Sequence, residues 1–300
     1  MIQKDKAFLG RYPIIIFILL TFFISFVINP IVVELLSICF SNFNFSFPMG
    51  GFSVRSLIAQ YGGTIAAFII VIRLHGLKGL KSTLTYSRPK SSDLKYLMIS
   101  LLLPVAIIFL SYILAGDSFE NLISILINNW RLYLLAIVGH LLASGIAEEY
   151  GWRGFMLPQL LKSWSPLTST VMIYVIVCLW HFPALLAGMK DENLLPFLTI
   201  VFPITVIHNW LFFKTGGSLL PPVLFHATFD AQYSFFSYFI HYTKLANDPF
   251  HQGWTYIFLY CLIGLLILVF TRGQLGFNPA AFSLASYFAQ NQKHERKTAD

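Results

Sequence analysis

Charge is scarce in this chain. Asp, Glu, Lys and Arg together make up 11% of its 300 residues, against roughly a quarter in soluble domains. So little charge cannot coat a water-exposed surface, which excludes an ordinary soluble domain. Cysteine is scarce too. Cys39, Cys178 and Cys261 lie far apart with no CxxC or zinc-knuckle spacing, so neither a disulfide framework nor a small zinc module is indicated. The bulky residue in front of Cys39, in Leu-Ser-Ile-Cys, makes a poor lipidation site. The period-two alternation of a transmembrane β-barrel is missing. Also missing are an HExxH pair, an internal repeat and a polar stretch long enough to fold as a soluble domain. What fills the chain is apolar: 57% hydrophobic and 17% aromatic residues, gathered into continuous runs of about twenty or more, the length at which a helix crosses a bilayer. The fold class is therefore all-α, a polytopic membrane protein with about eight transmembrane helices.

The net charge of +7 does not point to nucleic acid, because the basic residues sit in short loops between apolar runs and there set membrane orientation. Spans are expected at 12–39 (bent at Pro30), 54–74, 95–115, 132–160, 167–188, 194–214, 218–242 and 253–271, with an amphipathic connection at 116–131. The basic residues Lys4, Lys6 and Arg11 precede an apolar run too long for a signal peptide, so a retained first helix is expected. With the N-terminus inside and eight crossings, only Arg55, Arg131, Lys190 and Lys244 of the 20 basic residues fall outside. That bias puts both termini in the cytoplasm of a bacterial-type cell membrane. Residues 1–275 read as one helical domain and 276–300 as a polar tail, with Gln290 to Asp300 expected to be disordered.

One stretch breaks the apolar rule. Glu148, Glu149 and Arg153 interrupt the fourth span, and ionisable residues inside a bilayer are costly enough to mark function by default. Glu149 and Arg153, four apart, share a helix face and can pair. Glu148 points about 100° away and needs another partner. A carboxylate in that setting suits general-base work on water. His226 and Asp230 form a second four-residue pair on the seventh span, and His181 stands before Pro183 on the fifth. At 1.5 Å per residue these sit roughly 18 Å (Glu148), 20 Å (His181) and 12 Å (His226) from the inner helix ends, depths that permit one shared site on the cytoplasmic side of the bilayer centre. His140 lies roughly 12 Å from Glu148 along the helix and reads as structural. His208 and Asn209 can line the same cavity, although interhelical hydrogen bonding is the stronger reading. Glu34 and Arg55 reach toward headgroups, and His241 stands at a helix end.

Glu148-Glu149-x-x-x-Arg153, then His181, then His226-x-x-x-Asp230 resembles the CAAX-protease and bacteriocin-processing (CPBP, or Abi) family of intramembrane proteases. That family includes type II CAAX prenyl proteases and lysostaphin-resistance-like proteins. Its pattern is EExxxR, FxxxH, then HxxxN or HxxxD on separate spans. The first and third match, whereas Val177 stands where the second usually has an aromatic residue.

The resemblance implies an endopeptidase in which Glu148 activates water, His181 helps hold it, His226 and Asp230 face the scissile carbonyl, and Glu149 with Arg153 braces the helix or helps position substrate. An ionised aspartate cannot donate a hydrogen bond, so Asp230 is expected to orient His226. Two readings of the cofactor stay open: zinc, with Glu148, His181 and His226 as its ligands, or a purely glutamate-driven reaction that needs no metal. The expected partners are a peptide or membrane-protein substrate and the lipid bilayer. Two other functions use the same residues: an ion-coupled transporter with proton relays, disfavoured by the missing repeats, and a non-catalytic membrane immunity or scaffold protein.

Overall fold

The computed structural model describes residues 8–39, 54–86, 93–116, 118–186, 194–243 and 249–279. The expectations for Arg88, Lys90, Lys190, Lys244 and the 290–300 tail lie outside the described residues, as do the side chains of Arg55 and His241. Every regular element described is helical. In chain order they are α1 (Pro13–Cys39), α2 (Val54–Gln60), α3 (Gly62–Tyr86), α4 (Leu94–Leu114), α5 (Phe119–Asn128), α6 (Trp130–Leu160), α7 (Pro166–Leu186), α8 (Leu194–Lys214), α9 (Leu220–Thr243) and α10 (Pro249–Phe270).

Among the described residues, seven helices are long and apolar enough to cross a membrane: α1, α3 over Gly62–Lys81, α4, α6, α7, α8 and α10 over Gly253–Phe270. The remaining expected span is present as α9, which falls short of that apolarity. Its 24 residues are long enough to span, but His226, Asp230 and Gln232 lower its hydropathy. Those polar groups are tolerable because α9 lies inside the bundle, packed against α4, α6 and α8. Phe225, Ala227, Ala231, Phe235 and Phe236 on it have no exposed surface. Outward faces elsewhere carry large apolar side chains such as Leu19, Ile38, Leu102, Leu179, Phe258 and Phe270, the surface a hydrocarbon solvent calls for. The three cysteines are free.

Three departures from regular helix have local causes. The bend in α1 is a wide π-type turn at Ile24–Ile28, one turn ahead of Pro30. The proline ring clashes with the carbonyl four residues back, here that of Phe26, and the wide turn moves that carbonyl aside. The expected second span starts with α2, restarts at Gly62 and continues to Tyr86, broken at Gly76 in the left-handed region (φ 67°). The loop expected from residue 73 therefore starts later. Within the 116–131 connection, Phe119–Asn128 form helix α5. Ser118 caps α5 by accepting from the Asn121 amide at 3.1 Å, which satisfies one orphan donor.

The third departure positions the site. Helix α6 contains two wide turns, Leu141–Gly145 and Trp152–Met156, on either side of the glutamate pair. A π-turn frees backbone groups and is often found where a helix carries function. Here Tyr61, just ahead of α3, and Thr64 of α3 meet two carbonyls: the Tyr61 hydroxyl donates to Leu142 at 2.7 Å and Thr64 to Ile146 at 3.4 Å. Helices α3 and α6 can approach this closely because glycine faces glycine. A Cβ on Gly151 would lie 2.7 Å from the Gly63 carbonyl carbon.

Candidate functional site

Glu149 has no exposed surface, and Glu148 is 7% exposed. Being adjacent on α6, they face different neighbours. Glu149 looks inward across α8 and α9. Its Oε1 accepts from Arg153 Nη1 at 3.0 Å and from His226 Nδ1 at 2.7 Å, and lies 3.5 Å from His208 Nε2. The expected Glu149–Arg153 pair is thus present, and it is the centre of a larger cluster. Arg153 is itself bound on the other side, where Nε donates to Asn209 Oδ1 at 3.1 Å. The Asn209 amide donates to Thr170 Oγ1 at 2.8 Å, and Thr170 to the Pro166 carbonyl at 2.8 Å. This chain of donors ties α6, α8 and α7 together and holds the buried guanidinium from two sides.

Glu148 turns toward the aromatic side. The Trp152 indole N–H donates to its Oε2 at 3.3 Å. Trp152 packs edge-on against Trp180, with centroids 5.9 Å apart, and Trp180 against the ring of His181 at 4.7 Å. His181 Nδ1 stands 2.9 Å from the Val177 carbonyl, and its ring rests on Phe197. The Val177 position therefore contributes its backbone to orienting His181, which does not require the aromatic side chain usual there. Glu148 is also near enough to His226 and Arg153 to act on both electrostatically.

The His226–Asp230 pair is present on α9, with Nε2 3.6 Å from Asp230 Oδ2. The two nitrogens of His226 thus face two carboxylates, Glu149 on one side and Asp230 on the other. One site neighbour lay beyond the helix-depth argument. His140, expected to be structural and distant, places Nδ1 3.7 Å from Asp230 Oδ2 and Nε2 3.2 Å from Ser234 Oγ. Asp230 is held between two histidines from different helices.

His208 is the larger surprise. Its Nδ1 faces the Ile204 carbonyl at 2.8 Å and so carries the proton, leaving Nε2 as the acceptor. That nitrogen is buried and has no hydrogen-bond partner among the described residues, and the same holds for Glu149 Oε2. Sequence spacing gave no reason to prefer His208 over the other histidines. Only the rotation of α8, fixed by Asn209 gripping Arg153, turns it toward Glu149. The donor atoms that converge within 4.8 Å are those of Glu149, His208 and His226. The ligand set expected for zinc had instead paired Glu148 and His181 with His226. One carboxylate and two imidazoles fit the donor chemistry of an open zinc site.

Comparison with known proteins returns to the same stretch of chain. Residues 129–232 match the family model described as Rce1-like, type II CAAX prenyl endopeptidase, a segment that holds every residue from His140 to Asp230 discussed above. CAAX prenyl protease 2 of Methanococcus maripaludis is 25% identical over 95 residues, covering 29% of this chain and 35% of that protein. The likeness thus spans about a third of that relative's length.

Proposed function

We propose, from the match of residues 129–232 to the Rce1-like type II CAAX prenyl endopeptidase family model, that the chain is an intramembrane endopeptidase. One observation carries the reading. Inside a bundle of membrane-spanning helices, two adjacent carboxylates on α6 meet a histidine of α9 whose ring nitrogens both face acids. Such a cluster is too costly to keep as packing alone.

In this reading Glu148 is the general base. The Trp152 indole fixes one of its oxygens, which leaves the carboxylate oriented rather than free to rotate. It takes a proton from water as the oxygen attacks the scissile carbonyl carbon, and later delivers that proton to the leaving amine nitrogen, since a base in one half of the reaction serves as acid in the other. His226, whose two ring nitrogens both face acids, stands beside the oxyanion that forms at the carbonyl oxygen and stabilises it by the positive charge of its ring. Asp230 accepts from His226, and Glu149, anchored by Arg153, holds the opposite edge of the ring. These two acids position the imidazole. His181 borders the water on the aromatic side. The substrate is a peptide or membrane-protein segment entering from the cytoplasmic side, where the orientation of the basic loops puts the inner helix ends.

The test is a comparison of peptide termini in membranes of cells carrying the wild-type chain or Glu148→Gln at equal abundance. Loss of general-base action costs about 10²–10⁴ in rate, so a defined set of cleaved termini should disappear from the variant. Identical termini in both would overturn the reading.

A further inference from the structure

We propose that Ser25 of α1 is a positioning residue for Glu148 and His181, acting through the indole of Trp180. The proposal rests on the peptidase reading for what is positioned. Ser25 lies outside residues 129–232, the stretch the family model matches, so that match assigns it no role. Three observations carry it.

The first is a link that can be followed atom by atom. Trp180 Nε1 donates to Ser25 Oγ at 3.0 Å, from α7 across to α1. The Trp180 ring packs edge-on against the His181 ring at 4.7 Å and against the Trp152 ring at 5.9 Å. Trp152 Nε1 in turn donates to Glu148 Oε2 at 3.3 Å. One ring therefore stands between the base and the histidine that borders the water, and a rotation of it disturbs both. An indole has a single donor and no acceptor. Trp180 is buried, where an N–H without an acceptor is costly, so the place of Ser25 Oγ sets the rotation of the ring.

The second is that Ser25 is itself held. Its hydroxyl donates to the Ala59 carbonyl at 2.7 Å, which leaves its lone pairs for the indole. That carbonyl is among the last four of α2, which lack a partner inside their own helix. Asn29 Oδ1 accepts from the Ala59 amide at 3.2 Å, so α1 grips Ala59 from both sides. Ser25 lies in the wide turn Ile24–Ile28. Glycine is required opposite it, because a Cβ on Gly62 would collide with Ser25 Oγ.

The third is where α1 meets the bundle. Its buried residues are Phe17, Thr21, Ile24 and Ser25. Two of these four reach the two tryptophans: Ser25 bonds Trp180, and Phe17 packs edge-on against Trp152 at 5.8 Å. The helix that otherwise faces lipid thus forms the outer support of the aromatic side of the site.

The test uses the full-length chain in detergent with ¹⁵N-labelled tryptophan. Its six indole N–H resonances are assigned with single Trp→Phe variants. Ser25→Ala should shift the Trp180 resonance, which loses its acceptor, and also that of Trp152, to which Ser25 is not bonded. On a peptide that the wild type cleaves, Ser25→Ala should lower kcat roughly 10–100-fold with KM unchanged, since a misplacement of about 1 Å costs up to about 10²-fold. Trp180→Phe keeps an apolar ring without the N–H. It should have the same effect, and it reads the bond from its other end should Ser25→Ala unfold. The double variant should lose no more than Trp180→Phe alone, because the two residues act as one unit. Thr21→Val removes a hydroxyl one turn away on α1, which donates to the Phe17 carbonyl at 2.8 Å. It should leave the Trp152 and Trp180 resonances and kcat unchanged, whereas a general loosening of α1 would show in both variants.

An unmoved Trp152 resonance in Ser25→Ala would overturn the proposal. So would a full kcat, a change in KM alone, equal effects of Thr21→Val, or losses that add in the double variant. The two readings fail separately. Resonances that follow Ser25 in a chain that cleaves no peptide sink the peptidase and spare the link. Cleavage that needs Glu148, in a chain whose Ser25→Ala variant keeps both its Trp152 resonance and its kcat, does the reverse.

Discussion

Arg153 is the residue on which the buried charges depend. It neutralises Glu149 at 3.0 Å and is held by Asn209. Replacing one partner of a buried pair leaves the other uncompensated, at about 3–5 kcal/mol. Arg153→Met should therefore lower the thermal midpoint in detergent sharply. The double variant Arg153→Met, Glu149→Leu should recover most of that loss, because both charges leave together. Equal midpoints for wild type and Arg153→Met would show that the pair carries no stability. Asp230 makes a different demand. As an acceptor behind His226 it can be replaced by an amide oxygen, so Asp230→Asn should keep proteolysis within about tenfold of wild type, whereas Asp230→Ala, with no acceptor, should lose roughly a hundredfold. A rate assay on the two variants decides between orienting His226 and any role that needs the negative charge. At this scale the sequence was legible where spacing is local: four residues along a helix bring Glu149 to Arg153 and His226 to Asp230. It was not legible for His208 or for the meeting of His140 with Asp230. Those depend on how α8 and α9 are rotated, which is set by contacts dozens of residues away.

Helix α6 carries the site because of its two wide turns and its close crossing with α3. Pro158 follows the second turn by two residues, as Pro30 follows the turn in α1, whereas no proline marks the first. At the first, Tyr61 of the neighbouring segment donates to Leu142 inside the turn and Thr64 to Ile146 just past it. The crossing gives an asymmetric prediction. A Cβ on Gly151 meets Gly63 backbone at 2.7–3.0 Å, whereas a Cβ on Gly63 meets Gly151 only at 3.8 Å. Gly151→Ala should destabilise by about 1–3 kcal/mol, the usual cost of overpacking, and reduce activity by displacing Glu148 and Glu149. Gly63→Ala should be close to neutral. Thermal melts of the two variants side by side test this, and equal effects would contradict the close approach. Helix α9 shows the opposite limit of sequence reading. Its position was found within two residues at its N-terminal end, yet the polar residues that make it functional also make it the least membrane-like of the long helices.

For the whole molecule, hydropathy sufficed to read an all-α membrane bundle, since no other fold satisfies every backbone group in hydrocarbon. Orientation follows only if α9 crosses along with the seven apolar spans. In that case a fluorescent protein fused after residue 300 is cytoplasmic and fluoresces, and a phosphatase inserted at 244–248 is external and active. The opposite pattern at the C-terminus would make α9 a re-entrant or inner helix. The likeness to CAAX prenyl endopeptidases covers the site-bearing third of the chain, and the activity proposed for it is peptide-bond hydrolysis through Glu148. The direct measurement is cleavage of a fluorogenic peptide library by the purified chain in proteoliposomes, wild type against Glu148→Gln, with the fold of each verified by its thermal melt. The account predicts cleavage by the wild type, reduced by about 10²–10⁴ in the variant. Equal cleavage by two folded proteins would contradict it.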